Sequence, residues 1–204
     1  MLPAAPRLWA HDDGESQNSL DGILQGREAS MKESPIPFKG DMVRAILAGQ
    51  KTQTRQTVVP PTRTRGNHGS ICPYGQSGDR LWVKETFYRY YPSETWPEPK
   101  ALYRADGITL CDKDSEGKKQ RWTPSSHMPR ILSRITLEIT DIRVERVQDI
   151  SEEDVQAEGF SDRPASKNKF RIAWDLLYWK RGLGWSVNPR VWVITFKRVE
   201  NRNE

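Results

Sequence analysis

A short segment between Gly49 and Arg55, with the sequence GQKTQTR, places an amine, a hydroxyl and a guanidinium close together in the chain. A threonine hydroxyl is a poor nucleophile unless a base accepts its proton. A lysine is such a base only where burial or a nearby cation favours its neutral amine. Lys51 and Thr54 are therefore a candidate base and nucleophile, with Arg55 as the nearby cation. A solvated turn contains the same residue types, so the segment alone decides neither way.

A helix is predicted to precede this segment and to position it. Four apolar residues recur at the three- and four-residue spacing of one buried helix face: Met42, Val43, Ile46 and Leu47. Gly49 then follows where a left-handed residue ends a helix. The helix would thus deliver Lys51 and Thr54 to an irregular segment that can present side chains to a ligand.

Alternating and continuous apolar residues predict four strands, after an extended entry at Pro35–Phe38. The strands cover residues 81–90, 101–104, 131–144 and 191–196. In the third strand the apolar residues change from odd to even positions after Ile139, and a one-residue slip moves side chains to the opposite face of a sheet. This change predicts a bulge or bend near Thr140–Asp141.

Two further helices are predicted in the C-terminal part. Ser151, followed three residues later by Asp154, resembles a capping box. It predicts a short helix from Ser151 to Glu158 that stops at Gly159. A second helix fits Lys167–Lys180. Its larger apolar residues share one face: Phe170, Trp174, Leu177 and Tyr178.

The charge of the chain is unevenly distributed. Residues 1–30 carry two of the 32 basic and five of the 27 acidic residues, so residues 31–204 carry 30 and 22, a formal net charge of +8. A basic body of this kind suits a polyanionic partner or an anionic small ligand. The charge alone does not choose between them.

The composition predicts one domain with an extension. Residues 1–30 lack periodicity and are rich in Asp, Ser, Gly and Gln, which predicts a disordered N-terminal extension. A single α+β domain is expected over residues 31–204. Two loop inserts, at about residues 56–79 and 91–126, are predicted from their proline, glycine and polar residues.

Several classes of protein and site are not expected from the sequence. No apolar run is long enough to cross a membrane and no signal peptide is evident, so we expect a cytoplasmic protein without membrane contact. Cys72 and Cys111 are far apart, which makes a structural disulfide improbable. The nearest histidine, His68, does not complete a zinc-binding set with Cys72, so no metal site is expected.

Three parts of the sequence together resemble the ASCH domain, a member of the PUA-like superfamily: the helix end Gly49–Thr54, the strand entry Gly78–Val83 and the closing strand Trp192–Phe196. Three more resemble the version of this domain found in phages and prophages: Cys72–Gly75, Ser126–Arg130 and Ile150–Asp154. The resemblance covers roughly residues 35–198. It implies an α+β fold with a small PUA-like β-barrel, flanking short helices and a ligand cleft beside the first helix.

PUA-like folds include both RNA binders and enzymes, so the resemblance implies recognition of RNA or of a modified nucleoside without deciding whether the protein is a catalyst. The enzymatic relatives it implies are bacterial amidohydrolases that remove acetate from N4-acetylcytidine. Their Lys and Thr match Lys51 and Thr54, and their Glu falls on Glu158. The family has Arg two residues after the Thr, whereas this chain has Gln56 there, with Arg55 adjacent.

The roles of the three catalytic candidates follow from their chemistry. Lys51 would accept the proton of Thr54, as argued above. Glu158 lies at the end of a predicted helix, where unpaired carbonyls make the site partly negative, and Asp154 adds like charge one turn earlier. Both effects disfavour its ionised form, which predicts a proton donor to a leaving amine. The scheme needs no metal or cofactor.

Other side chains are predicted to contact the substrate. Arg55 and Gln56 follow the motif directly, and Glu85 is predicted to be an auxiliary acid on the strand after Gly78. Four further candidates are a stacking ring, a loop histidine and two phosphate contacts: Trp82, His127, Arg130 and Arg134. Simpler explanations are core or rim packing for the ring, a contact within its own loop for the histidine and a solvated strand face for the two arginines.

Two alternatives without catalysis stay open. A non-catalytic RNA-binding protein needs positive charge and stacking, but neither a neutral lysine nor a protonated acid. A phage accessory protein would bind another protein through the two inserts. The oligomeric state is not predicted by the sequence.

Overall fold

The structure, a computed structural model, describes residues 31–58, 72–91, 99–113, 117, 119–160 and 167–199. The predicted N-terminal extension lies outside these residues, as do parts of both predicted inserts. All described residues belong to a single unit, Met31–Glu204.

The described part of the chain contains seven strands in two sheets. They are β1 Glu33–Pro37, β2 Gln53–Thr57, β3 Arg80–Lys84, β4 Phe87–Tyr90, β5 Lys100–Tyr103, β6 Thr136–Arg146 and β7 Arg190–Val199. Five strands form the larger sheet in the order β1-β3-β6-β7-β2, in which β1 and β3 are parallel and the other pairs are antiparallel. The remaining strands, β4 and β5, form an antiparallel pair of their own.

The predicted closed β-barrel is wrong for the described strands, because the five-stranded sheet is open, with β1 and β2 at its ends. The sequence predicts one strand over residues 81–90, but the chain leaves the ladder at Glu85–Thr86. Its second half, β4, pairs with β5 instead. Five strands therefore remain in the main sheet, and its two end strands do not pair with each other.

The predicted irregularity in the third strand is confirmed. The register between β6 and β7 shifts between Ile139 and Asp141, at the position where the apolar pattern changes parity. The shift keeps Ile139 buried on one side while the strand continues to Arg146.

Among the described residues, three α-helices accompany the sheet: α1 Gly40–Leu47, α2 Glu152–Ala157 and α3 Lys167–Tyr178. In α1, Val43 and Ile46 are buried but Leu47 is 37% exposed, so the predicted buried face is narrower than its four residues. Gly49 ends this helix region with φ at +71°, as its position predicts. The Ser151 hydroxyl accepts a hydrogen bond from the Asp154 backbone N–H at 3.1 Å, which caps α2.

The helices lie on opposite faces of the sheet. One core cluster joins Val43 of α1 to Ile194 of β7, and a second joins Trp174 of α3 to Val193 of β7. Adjacent residues of a strand point to opposite faces, so α1 covers one face and α3 the other. Strand β2 lies at the end of the sheet next to β7, so α1 on one face and α3 on the other both lie near it.

Candidate functional site

Strand β2 and the end of α2 position the candidate residues. Thr54 and Arg55 pair with Ile194 and Val193 of β7, so Thr54 is part of a strand rather than of the predicted irregular segment. Residues 53–57 are polar, so no apolar pattern in the sequence indicates a strand there. The segment becomes a strand because its backbone pairs with β7. Lys51, just before β2, forms an isolated backbone bridge with Glu158.

Lys51 is buried with its ammonium fully hydrogen-bonded. Its Nζ donates to Glu158 Oε2 at 2.6 Å, to the Glu158 carbonyl at 2.9 Å and to the Gln53 carbonyl at 2.8 Å. These three acceptors match the three donors of an ammonium. Burial lowers the pKa of Lys51, with Arg55 adding to the effect and Glu158 opposing it.

Arg55 lies in the same buried region and contacts three carboxylates. Its Nη1 is 3.2 Å from Glu158 Oε1, and its Nη2 is 2.6 Å from both Glu145 Oε1 and Asp154 Oδ2. Although burial works against the charged form, these carboxylates raise the pKa of Arg55. Arg55 is therefore a permanent cation between the sheet and α2.

Arg143 completes what we call the charge cluster, because its Nη2 lies 2.6 Å from Asp154 Oδ2. The cluster has three cations and three anions: Lys51, Arg55, Arg143, Glu145, Asp154 and Glu158. Partial burial opposes ionisation of Asp154, but Arg55 and Arg143 more than offset it and lower its pKa. Asp154 thus pairs with arginines instead of repelling Glu158 as the sequence predicts.

A cavity of about 330 Å³ lies beside β2, between the segment before α1 and helix α3. Six aromatic side chains line it: Phe38, Tyr74, Phe160, Phe170, Trp174 and Tyr178. Thr54, Arg55, Gln56 and Glu158 supply polar groups, while Lys51 lies behind Glu158, outside the lining. No described residue forms a hydrogen bond with the Thr54 hydroxyl, which leaves it available to a ligand.

Gln56 and Tyr178 are linked across this cavity. The Tyr178 hydroxyl donates to Gln56 Oε1 at 3.1 Å, and both residues line the cavity. Burial, together with nearby Tyr74, raises the pKa of Tyr178 to about 12. The phenol therefore keeps its proton at neutral pH.

Glu85 and Arg134 lie together, but away from this cavity. Arg134 Nε donates to Glu85 Oε1 at 2.9 Å, and its Nη2 donates to Asp106 Oδ1 at 2.7 Å. Burial raises the pKa of Glu85, although Arg134 opposes the effect. Glu85 borders a separate cavity of about 380 Å³, which also includes Lys39.

The remaining three candidates have local partners or partial burial. Arg130 pairs with Glu33 at 3.0 Å, and the Ser126 hydroxyl lies 3.1 Å from Nδ1 of His127. Trp82 is half-buried on β3. None of these three is among the described residues that line the aromatic cavity.

Sequence reasoning missed several residues of the site. Arg143 and Glu145 alternate with apolar residues on β6, a pattern that also fits a solvated strand face. Tyr178 was predicted as part of an apolar helix face, and nothing in the periodicity shows that its hydroxyl reaches Gln56. Only the three-dimensional arrangement brings these residues to the site.

The described residues provide neither a cluster of metal ligands nor a helix able to cross a membrane. They contain no group of three or more His, Cys, Asp or Glu side chains arranged to hold a metal ion. Across the same part of the chain, the helices are too short or too polar for one to cross a membrane.

Comparisons with known proteins give distant structural likenesses, two of which are described below. No family model matches the sequence, and no curated protein matches it. A DUF984 protein from Enterococcus faecalis V583 has 11% sequence identity and a TM-score of 0.44, covering 85% of this chain and 84% of that one. An ASCH domain from Lactobacillus crispatus JV V101 has 15% identity and a TM-score of 0.42, covering 82% of this chain and 79% of that one. Likeness at this level does not assign the chain to a family.

Proposed function

We propose that this protein binds a nucleobase, in RNA or in a modified nucleoside, in the cavity beside β2. The observation that carries the proposal is the lining, in which six aromatic side chains surround the polar groups of Thr54, Arg55, Gln56 and Glu158. Aromatic rings stack on bases, and polar groups distinguish their edges. The volume of about 330 Å³ is within the usual range of small-molecule sites.

Two exposed cations support a phosphorylated ligand. Lys39 and Arg181 line the cavity, and neither has a carboxylate partner within the described ranges. Arg55, by contrast, is fully engaged by the charge cluster. Lys39 and Arg181 are therefore the cations available for the phosphate of a nucleotide or of an RNA backbone. The motifs that resemble an ASCH domain agree with this type of ligand.

Binding is tested by titrating the full chain with cytidine, N4-acetylcytidine and a short single-stranded RNA, with ribose 5-phosphate as the baseless control. We expect the base-containing ligands to bind. Phe160→Leu should weaken their binding, because leucine fills space without an aromatic face. Loss of stacking on one base costs about 1–3 kcal/mol. Equal binding of ribose 5-phosphate and the nucleosides would contradict base recognition, and failure of all four ligands to bind would favour the protein-binding alternative.

A second candidate function is hydrolysis of an N4-acyl amide, and one observation favours it. Thr54, whose hydroxyl has no described hydrogen-bond partner, lines the cavity together with Glu158, and Lys51 Nζ lies 2.6 Å from Glu158 Oε2. The Lys51 ammonium also donates to the carbonyl of Gln53, which belongs to the peptide group between Gln53 and Thr54. A nucleophile, a base and an acid are thus available within one site.

The short contact between Lys51 and Glu158 offers a path for the proton transfer that hydrolysis requires. One proton would pass from Lys51 Nζ to Glu158 Oε2, 2.6 Å away, and burial, which lowers the pKa of Lys51, favours the neutral amine that remains. The amine accepts the Thr54 proton as its oxygen attacks the acyl carbon, and the acid protonates the departing N4 amine. Water then cleaves the acyl ester on Thr54, which releases the carboxylic acid and restores the hydroxyl.

The test is release of acetate from N4-acetylcytidine by the parent protein, Thr54→Val and Thr54→Ser. Valine matches threonine in shape but lacks the hydroxyl, so we expect it to abolish turnover. Serine restores the hydroxyl and should restore part of the activity. If the parent protein binds N4-acetylcytidine without releasing acetate, the hydrolase function is wrong and base binding stands.

A further inference from the structure

Gln56 presents an unsatisfied donor to the cavity. Its Oε1 accepts a hydrogen bond from the Tyr178 hydroxyl at 3.1 Å, and no described residue accepts from its Nε2. Gln56 is half-buried on β2, directly opposite Trp192 of β7. Tyr178 turns Oε1 towards itself and uses one of its two lone pairs, so the two N–H donors of Nε2 are the wholly unpaired groups of the amide that remain for a ligand.

Tyr178 fixes which end of the amide faces the ligand. A buried hydroxyl needs an acceptor, and Gln56 Oε1 is the one that the described residues provide. The tyrosine ring is itself held in place, since it packs 4.2 Å from the Trp174 ring and lies under the Arg181 guanidinium at 5.5 Å. With its pKa at about 12, the phenol remains a donor at neutral pH, so reversing the amide would leave its proton without a partner.

We propose that Gln56 is a specificity residue that selects ligands presenting a hydrogen-bond acceptor, and that Tyr178 is its positioning residue. The inference rests on the proposed base-binding function. Among pyrimidines, cytosine presents two adjacent acceptors, N3 and O2, whereas uracil presents an N3–H donor between two carbonyls. The site should therefore prefer cytosine-type bases over uracil.

The energetic basis is the cost of an unmatched polar group. A site built to hydrogen-bond its ligand rejects an analogue that lacks the partner, because buried donors or acceptors stay unpaired. In the register in which cytosine N3 and O2 accept from Gln56 Nε2, uracil would place its N3–H donor against Nε2, and both donors would lack a bond. The preference thus requires no charge on the ligand.

The experiment measures dissociation constants of cytidine and uridine for the full chain and three variants. The parent protein should bind cytidine at least tenfold more tightly. Gln56→Glu keeps an acceptor for Tyr178 but presents oxygen to the ligand, so the preference should reverse. Tyr178→Phe frees the amide to rotate, so the ratio should fall towards one. Gln156→Glu, an identical change at an exposed position outside the cavity, should leave the ratio unchanged.

The outcomes separate this inference from the function on which it rests. If the parent protein binds neither nucleoside, base recognition itself fails. If it binds both and Gln56→Glu does not change their ratio, base recognition stands and the role of Gln56 is wrong. Gln56→Glu decides the matter even if Tyr178→Phe fails to fold, because the exchange of Gln for Glu conserves shape.

Discussion

Glu158 contacts both fully buried cations of the charge cluster, Lys51 at 2.6 Å and Arg55 at 3.2 Å. A buried ion pair contributes little net stability, because desolvation offsets the attraction between the charges. Removal of one partner is different, because it leaves the other charge buried without compensation. Lys51 is especially dependent on Glu158, which supplies two of its three acceptors.

We therefore expect Glu158→Gln to lower the free energy of unfolding by about 3–5 kcal/mol, the usual cost of breaking a buried pair. Urea denaturation at pH 7 measures the change. The same substitution at Glu152, which is exposed at the start of α2, is the control and should have little effect. Equal stability of the two variants would show that the buried cations do not depend on the Glu158 carboxylate.

Tyr178 predicts a dependence of stability on alkaline pH. Its pKa is about 12 in the folded protein and 10.0 without the protein environment, so the folded state retains a proton that the unfolded state loses. The stabilisation is complete below pH 10 and declines as the pH rises towards 12. Over that interval the parent protein should lose about 2 kcal/mol of unfolding free energy relative to Tyr178→Phe, at 1.36 kcal/mol per pKa unit. Parallel pH profiles of the two proteins would contradict the assignment.

Gly159 links α2 to the site through its backbone. Its φ is +96°, and an added Cβ would lie 3.1 Å from Ala45 Cβ and 3.3 Å from Lys51 Cβ. The residue therefore lets α2 end close against α1 and places the preceding Glu158 over Lys51. A side chain at this position would push these elements apart.

The matched pair Gly159→Ala and Gly49→Ala separates this packing from backbone strain. Gly49 also has positive φ, at +71°, but an added Cβ there meets nothing within 4 Å. Gly49→Ala should cost about 1–2 kcal/mol from the left-handed backbone alone. Gly159→Ala should cost about 1–3 kcal/mol more through overpacking, and it should also weaken ligand binding. Similar urea midpoints for the two variants would exclude a role for close packing at Gly159.

The sequence predicts local elements well because their signals are local. The parity change after Ile139 predicts the bulge in β6, and Ser151 predicts the capped start of α2. The barrel is wrong because the strand-forming residues between 81 and 90 do not reveal that the chain changes partner at Glu85. Which strands pair is decided by contacts between distant parts of the chain.

The same distinction applies to the candidate site. Lys51 and Glu158 are 107 residues apart, and only the resemblance to a family places them in one site before the structure brings them to 2.6 Å. Arg143 joins Asp154 because the β6 backbone and the capped helix α2 approach each other. No spacing rule in the sequence relates these two residues.

The molecule as a whole has an excess of positive charge that the charge cluster does not explain. Residues 31–204 have a formal net charge of +8, whereas the cluster has three cations and three anions and is neutral. The excess therefore lies in other residues, which include exposed Lys39 and Arg181 beside the aromatic cavity. If the ligand is RNA, as proposed above, these two side chains would add local phosphate contacts to the long-range attraction that the net charge exerts on a polyanion.

This arrangement predicts how ligand binding responds to salt. Each phosphate neutralised on single-stranded nucleic acid contributes about −0.7 to the slope of log affinity against log salt concentration. Lys39→Gln and Arg181→Gln should each weaken the binding of a short RNA and make the slope of log affinity against log salt shallower by about 0.7. Uncharged cytidine should bind with almost no salt dependence. Lys167→Gln removes an exposed charge outside the cavity lining and serves as the control. If all three variants shift the slope equally, attraction is spread over the whole basic surface; if only the first two do, the phosphate binds at the cavity.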